Sequence, residues 1–243
     1  MRESQFDPKE LKIGETTEGL RVYRCTSCSP LFQLVLEARA EVYGEAEPGA
    51  TIDSFDGHSE QYVALGPGGV TYAMRATRDS KGPIECQEYY PRQLLEVLKD
   101  KVVSAGRFFR KPGIRTTRKA SIEFIALAWA DQVRLGSRLD VINATERLLR
   151  YYQRLGYVRH ETGTFRHPRW HTESHVLFMP ADPSRTSPLQ GAFSKCADPL
   201  TLERLQEALR PITKTGESPF LGADTSDTLA LVLRRSRSAA PAA

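Results

Sequence analysis

Residues 139–157 read LDVINATERLLRYYQRLGY, and this stretch decides the fold. Leu139–Ile142 is an apolar run of strand length. Asn143-Ala-Thr-Glu146 follows with capping-box spacing, in which a cap side chain and the residue three places on satisfy each other's end of a helix. Leu148, Leu149, Tyr152 and Leu155 then recur on one helical face, and Gly156 supplies the stop. Working outward, Ile122, Ile125, Ala126, Trp129 and Val133 repeat at helical spacing up to Gly136. Val102–Phe109 ahead of them reads as a strand, ended by Pro112-Gly113. Beyond Gly156, Tyr157–Phe165 and Glu173–Met179 read as a final strand pair. Two strands and two helices in alternation, closed by a strand pair, describe a sheet with helices packed against it.

The N-terminal half extends that sheet. Ser29-Pro30 opens a helix, a cap residue with proline at the first helical position, and Phe32, Val35 and Leu36 mark its apolar stripe before Gly44. One strand is expected ahead of it. Gln61–Leu65 and Val70–Ala76 flank Pro67-Gly68-Gly69 as a hairpin, and a short helix starts at Pro91 with Leu94, Leu95 and Leu98 inward. After Met179 the composition changes: residues 180–243 hold seven prolines and one amphipathic segment, opened by Asp198-Pro199. The expected organisation is a domain over residues 1–180 and a C-terminal helical appendage over 181–243.

The 243 residues, 40% hydrophobic and 26% charged, are an ordinary globular composition, long enough for a core without disulfides. The longest apolar run, Phe124 to Ala130, is far too short to span a membrane. The start of the chain lacks a signal-peptide pattern, and four cysteines without a framework fit a reducing compartment, so a cytoplasmic location is expected. The net charge of +4 is unevenly spread: residues 1–60 carry six basic and twelve acidic side chains. Lys101 through Lys119 carries seven basic residues and no acid, a field that draws anionic partners. Cys25-x-x-Cys28 lacks the second pair that a zinc site needs, and His167, His171 and His175 lie in a proline-interrupted, strand-like setting. No metal site is expected.

The stretch from Val103 to Tyr157, with Tyr152 four residues ahead of Gly156-Tyr157, resembles the second half of the GNAT acyltransferase superfamily. That resemblance implies an α/β (α+β) fold with a mixed, centrally splayed sheet flanked by helices, the splay receiving a pantetheine arm. The pyrophosphate loop of that superfamily matches Arg115-Thr-Thr-Arg118-Lys-Ala120 here, with Arg118 in place of its central glycine. The first half is similar to acyl-homoserine-lactone synthases and N-acyl amino acid synthases: Arg39-x-x-x-Tyr43-Gly, Asp53-x-x-Asp56-x-x-Ser59-x-Gln61-Tyr62, a hairpin ending in Arg75, and the insertion through Gly82-Pro83-Ile84 to Leu95. Two positions depart from the lactone synthases. Their tryptophan after the first helix is missing, the only tryptophans being Trp129 and Trp170, and their strand motif Glu-x-x-Arg-Phe reads Ser104-Ala-Gly-Arg107-Phe108. The departures favour the N-acyl amino acid synthase branch over use of S-adenosylmethionine.

The resemblance implies an N-acyltransferase that moves a long-chain acyl group from an acyl carrier protein or acyl-CoA thioester to the amine of an amino acid or similar small molecule. No permanently bound cofactor is expected. Tyr152 would protonate the leaving sulfur, Ser104 would relay a proton, and amides near Arg107 and Phe108 would polarise the carbonyl. Arg115, Arg118, Ala120 and Asn143 are the expected donor-binding residues. Arg39, Asp53, Asp56 and Arg75, with Arg107 and Phe108, are the expected substrate-binding set, although ion pairs of this kind more often serve structure. The competing readings are an acetyl-CoA-dependent acetyltransferase, a non-catalytic acyl-binding protein, and a nucleic-acid-binding module. The last lacks an aromatic platform among its basic residues.

Overall fold

The computed structural model describes residues 10–44 and 51–181, so the segment after Asp198-Pro199 and nearly all of the expected appendage lie outside the described residues. Eight strands form one sheet: β1 (Glu10–Glu15), β2 (Arg21–Cys25), β3 (Glu60–Gly66), β4 (Gly69–Arg78), β5 (Val102–Arg110), β6 (Leu139–Ala144), β7 (Val158–Arg166) and β8 (Glu173–Pro180). Their order across the sheet is β1-β2-β3-β4-β5-β6-β8-β7. Every neighbouring pair is antiparallel except β5 and β6, which run parallel. The helices are α1 (Pro30–Tyr43), α2 (Arg92–Val97), α3 (Arg118–Arg134) and α4 (Glu146–Leu155).

Alternation along the strands assigns the helices to faces. Tyr62, Met74, Val103 and Ile142 point to the face covered by α3 and α4, where Phe124, Ile125, Leu149 and Leu155 complete the main core. On the opposite face, Val63, Ala73 and Phe109 pack on α1 through Phe32 and Val35. There too Val102, Val141 and Phe178 pack on α2 through Leu94 and Leu98. Helix α1 starts as its sequence implies, the Ser29 side chain accepting the Leu31 N–H at 3.0 Å, a cap of about 1 kcal/mol. Helix α3 is buried on nearly every side because the β1–β2 hairpin folds back against it. Gly14 lies so close that a Cβ there would meet Leu127 Cδ2 at 2.8 Å.

Two expectations are corrected. Two strands, not one, precede α1; β1 is an edge strand with mostly exposed or half-buried side chains and a register shift between Lys12 and Gly14. Asn143 does not cap α4. Strand β6 continues through Ala144 because Asn143 and Ala144 pair with Val176 and His175 of β8, which moves the cap to Thr145.

Candidate active site

The parallel pair is where the sheet opens. β5 and β6 are in register only at Val102/Leu139 and Val103/Asp140. Past that point, Asp140 holds the fork: Oδ1 accepts the Ala105 N–H at 3.0 Å, and the other oxygen accepts the Tyr157 hydroxyl. Burial pushes the Asp140 carboxyl up to about 6 even though both bonds act the other way. Between the diverging strands lies a cavity of about 360 Å³ that draws residues from both faces of the sheet. Met74, Ile125, Ile142, Tyr152 and Tyr157 line it from the α3/α4 side, and Ser104, Gly106, Glu85, Tyr43 and Trp170 from the other.

β5 is distorted along that cavity. Gly106 pairs with Arg75 and Phe109 with Ala73, so Arg107 and Phe108 together oppose Met74 in a β-bulge. Arg107 has φ 55°, a left-handed conformation that costs a side-chain-bearing residue energy and is concentrated at functional sites. Its guanidinium reaches Asp53 Oδ2 at 2.7 Å and lies over the rings of Trp170 and Tyr43. Phe108 stacks in the core with Tyr72 and Phe124 and presents one side to the cavity.

Tyr152 lines the cavity from α4, and no described residue hydrogen-bonds its hydroxyl. Burial holds its phenol above the usual tyrosine range, so it stays protonated at neutral pH. Ser104 is buried on the opposite face. Asn143 Nδ2 approaches the Tyr90 oxygen, at 3.5 Å. Asn143 therefore stands in the fork and not with the basic residues expected to bind a donor phosphate.

Those basic residues cluster at the start of α3. Arg115 and Arg118 are exposed, and Ala120 is buried. Thr117 caps the helix by accepting the Ala120 N–H at 3.3 Å. Its own N–H and hydroxyl are both taken by Glu18, from the β1–β2 turn. A carboxylate thus occupies part of the place where helix-end amides favour an anion.

The remaining expected residues form a buried ion lattice beneath the cavity. Arg39 Nη1 donates to Asp56 at 3.0 Å, and Arg39 Nη2 to Gln61 Oε1 at 2.9 Å. Arg75 bridges Asp53 at 2.5 Å and Glu85 at 2.6 Å, while Arg169 adds a third guanidinium to Asp53 at 3.1 Å. Burial pushes the Asp53 carboxyl up, but Arg75 and Arg107 outweigh that and hold it below the usual range. Arg39 and Arg75 are each 1% exposed, and neither they nor Asp53 and Asp56 line the fork cavity. They touch one another and hold the loop over 51–58, β5 and Arg169 together. Of the six residues expected to bind substrate, Arg107 and Phe108 are the two that line the fork cavity.

A second, wider groove of about 970 Å³ lies on the α1/α2 face, between the 83–88 loop, α2 and the β7–β8 turn. Phe55, His58, Cys86, Glu88, Arg92 and Arg169 are among its walls. It shares only Glu85 and His167 with the fork cavity. Cys86 and Cys25 are buried thiols, each pushed by desolvation up to about 12, far from the range of a reactive thiolate. Glu85 was not singled out by its sequence context, and Tyr43, His167 and Trp170 were named there without a place at this cavity. The one available signal was Gly82-Pro83-Ile84, which breaks the chain just ahead of Glu85.

A sheet split at one parallel pair, bulged on one side of the split and crossed by helices on both faces, is the fold of GNAT-type acyltransferases. No family model and no curated protein matches the chain. Solved structures do. A CoA-dependent acyl-homoserine lactone synthase, BjaI, solved with SAM and isopentyl-CoA, superposes with a TM-score of 0.53 at 14% identity, over 78% of this chain and 100% of that one. The acyl-homoserine lactone synthase LasI gives 0.51 at 15% identity, over 72% and 94%. FeeM, an N-acyl amino acid synthase from uncultured soil microbes, gives 0.50 at 9% identity, over 62% and 88%. At these identities the likeness is one of fold.

Proposed function

We propose that the protein is an N-acyltransferase that moves a long-chain acyl group from a pantetheine thioester, on coenzyme A or an acyl carrier protein, to the amine of an amino acid or similar small molecule. The observation that carries this reading is the Tyr152 hydroxyl, protonated and unpaired, in a cavity that passes through the sheet beside the bulged strand. A thioester in that fork has its carbonyl beside the backbone of Arg107 and Phe108, where strand amides polarise it. Its sulfur lies toward α4, where Tyr152 supplies the proton the thiolate needs on leaving. The apolar walls Met74, Ile125, Ile142 and Leu148 suit an alkyl chain. The similarity of fold to a CoA-dependent lactone synthase and an N-acyl amino acid synthase supports the same class of donor.

The test is incubation of the purified protein with acetyl-, octanoyl- and dodecanoyl-CoA, and with dodecanoyl carrier protein, each with the twenty amino acids. Free thiol and N-acyl product are read by mass spectrometry. The expected result is N-acyl amino acid formed from the longer thioesters. Use of acetyl-CoA alone would return the protein to the small-molecule acetyltransferases, and no thioester consumption would overturn the reading.

A further inference from the structure

An amine attacks a carbonyl only through an unprotonated nitrogen, so the acyltransferase proposed above requires a group that accepts the acceptor's proton. The fork cavity has few candidates. Ser104 is a neutral hydroxyl, a far weaker proton acceptor than a carboxylate. His167 has no lone pair to offer: its Nδ1 accepts the N–H groups of Arg169 at 3.1 Å and Trp170 at 3.3 Å. That leaves the proton on Nε2, which points to Cys86 Sγ at 3.5 Å. Asp140 is closed off by Ala105 and Tyr157 within the fork. Glu85 is the one carboxylate among the described residues lining the cavity, and it also lines the wider groove.

We infer that Glu85 is the catalytic proton acceptor for the amine, and that the acceptor reaches it from the groove on the α1/α2 face while the thioester occupies the fork. The proposal rests on the acyltransferase reading and assigns it a residue and a side of entry. The backbone explains how a loop residue comes to serve a strand. Arg75 and Gly106 are partners across β4 and β5, and Arg75 Nη2 holds Glu85 Oε2 at 2.6 Å. Gly106 borders that oxygen: a Cβ there would lie 3.7 Å from it, in van der Waals contact. Glu85 is thereby suspended over the strand beside Arg107, while Oε1 has no hydrogen-bond partner among the described residues. Carboxylate and phenol then stand on opposite sides of the sheet's opening, which separates the two proton transfers.

The step balances as follows. An acceptor ammonium gives one proton to Glu85, and the freed nitrogen pair bonds to the thioester carbon. The carbon–sulfur bond breaks, the thiolate takes the Tyr152 proton, and the nitrogen's second surplus proton restores Tyr152 through cavity water. The products are an amide, a free thiol and a proton that Glu85 releases to solvent.

Hydroxylamine separates this role from a structural one, because its nitrogen is largely unprotonated near neutral pH and needs no acceptor before attack. Transfer from dodecanoyl-CoA to a pool of the twenty amino acids, and separately to hydroxylamine, is measured for wild type, Glu85→Gln and Glu85→Asp, with melting temperatures alongside. Glutamine keeps an oxygen for Arg75. Glu85→Gln is expected to slow amino-acid acylation roughly 10²-fold or more while hydroxylamine acylation stays within a few-fold of wild type. Glu85→Asp is expected to recover part of the loss. An unchanged amino-acid rate in Glu85→Gln, or an equal fall with both nucleophiles in Glu85→Gln and Glu85→Asp, would overturn the assignment. A wild type that acylates neither nucleophile overturns the acyltransferase reading itself, and this assignment with it.

Discussion

At the scale of single residues, the phenol of Tyr152 offers a clean separation of chemistry from stability. Its hydroxyl bonds to no described residue, so Tyr152→Phe removes no hydrogen bond and strands no partner. The melting temperature should therefore barely move, while acyl transfer in a single turnover should slow by roughly 10²–10⁴-fold. A normally folded and fully active Tyr152→Phe enzyme would leave the bulged strand and positioning alone to carry the reaction. The place of Tyr152 on α4 was legible in the sequence because Leu148, Leu149, Tyr152 and Leu155 keep a plain helical period, while the role expected of it came from the resemblance. The place of Glu85 was not: it depends on Arg75, ten residues back in the chain, which leaves no local pattern. Trp170 shows the same limit. No tryptophan stands directly after α1, yet the β7–β8 turn brings the Trp170 ring to 6.3 Å from that of Tyr43, the last residue of α1.

At the scale of elements, the fork is held by a buried carboxylate, and that has a measurable consequence. An aspartate titrates near 3.9 in an unfolded chain, whereas Asp140 in the fold does so at about 6. Between those values the folded protein holds more protons than the unfolded one, so stability is greatest below the lower value and falls as pH rises through the window. Two units correspond to roughly 3 kcal/mol. In Asp140→Asn the Oδ1 bond to the Ala105 N–H can persist, and the downward slope of unfolding free energy between about pH 4 and 7 should flatten relative to wild type. Urea titrations across that range read it directly; an unchanged slope would show that Asp140 ionises without penalty. The elements around the fork were readable because α3, α4, β5 and β6 each carry the apolar period of their own type. Two boundaries were not. Strand β1 has little burial to imprint a pattern, and pairing with β8 carried β6 past a sequence that, taken locally, starts a helix at Asn143.

At the scale of the whole molecule, the uneven charge of the chain becomes a contact. The acidic N-terminal segment and the basic stretch after β5 meet where Glu18 sits on Thr117 at the start of α3, with Arg115, Arg118 and Lys119 exposed around it. The hairpin carrying Glu18 is pinned there by Thr17, whose N–H donates to Glu123 Oε2 at 2.8 Å. A donor phosphate drawn to these arginines must compete with the Glu18 carboxylate for the same helix end. Removing that competitor and removing the attraction should then act in opposite directions. Glu18→Gln should lower the KM for dodecanoyl-CoA, and the pair Arg115→Glu with Arg118→Glu should raise it by about tenfold or more, as expected for reversing two exposed charges near a highly charged ligand. Neither change touches the fork, so kcat should stay close to wild type. Added salt screens exposed charge, and it should move the wild-type KM toward that of the charge-reversed variant while leaving the variant nearly level. A KM indifferent to salt and to both sets of substitutions would place the phosphate elsewhere on the molecule and leave the basic stretch as a solvated face.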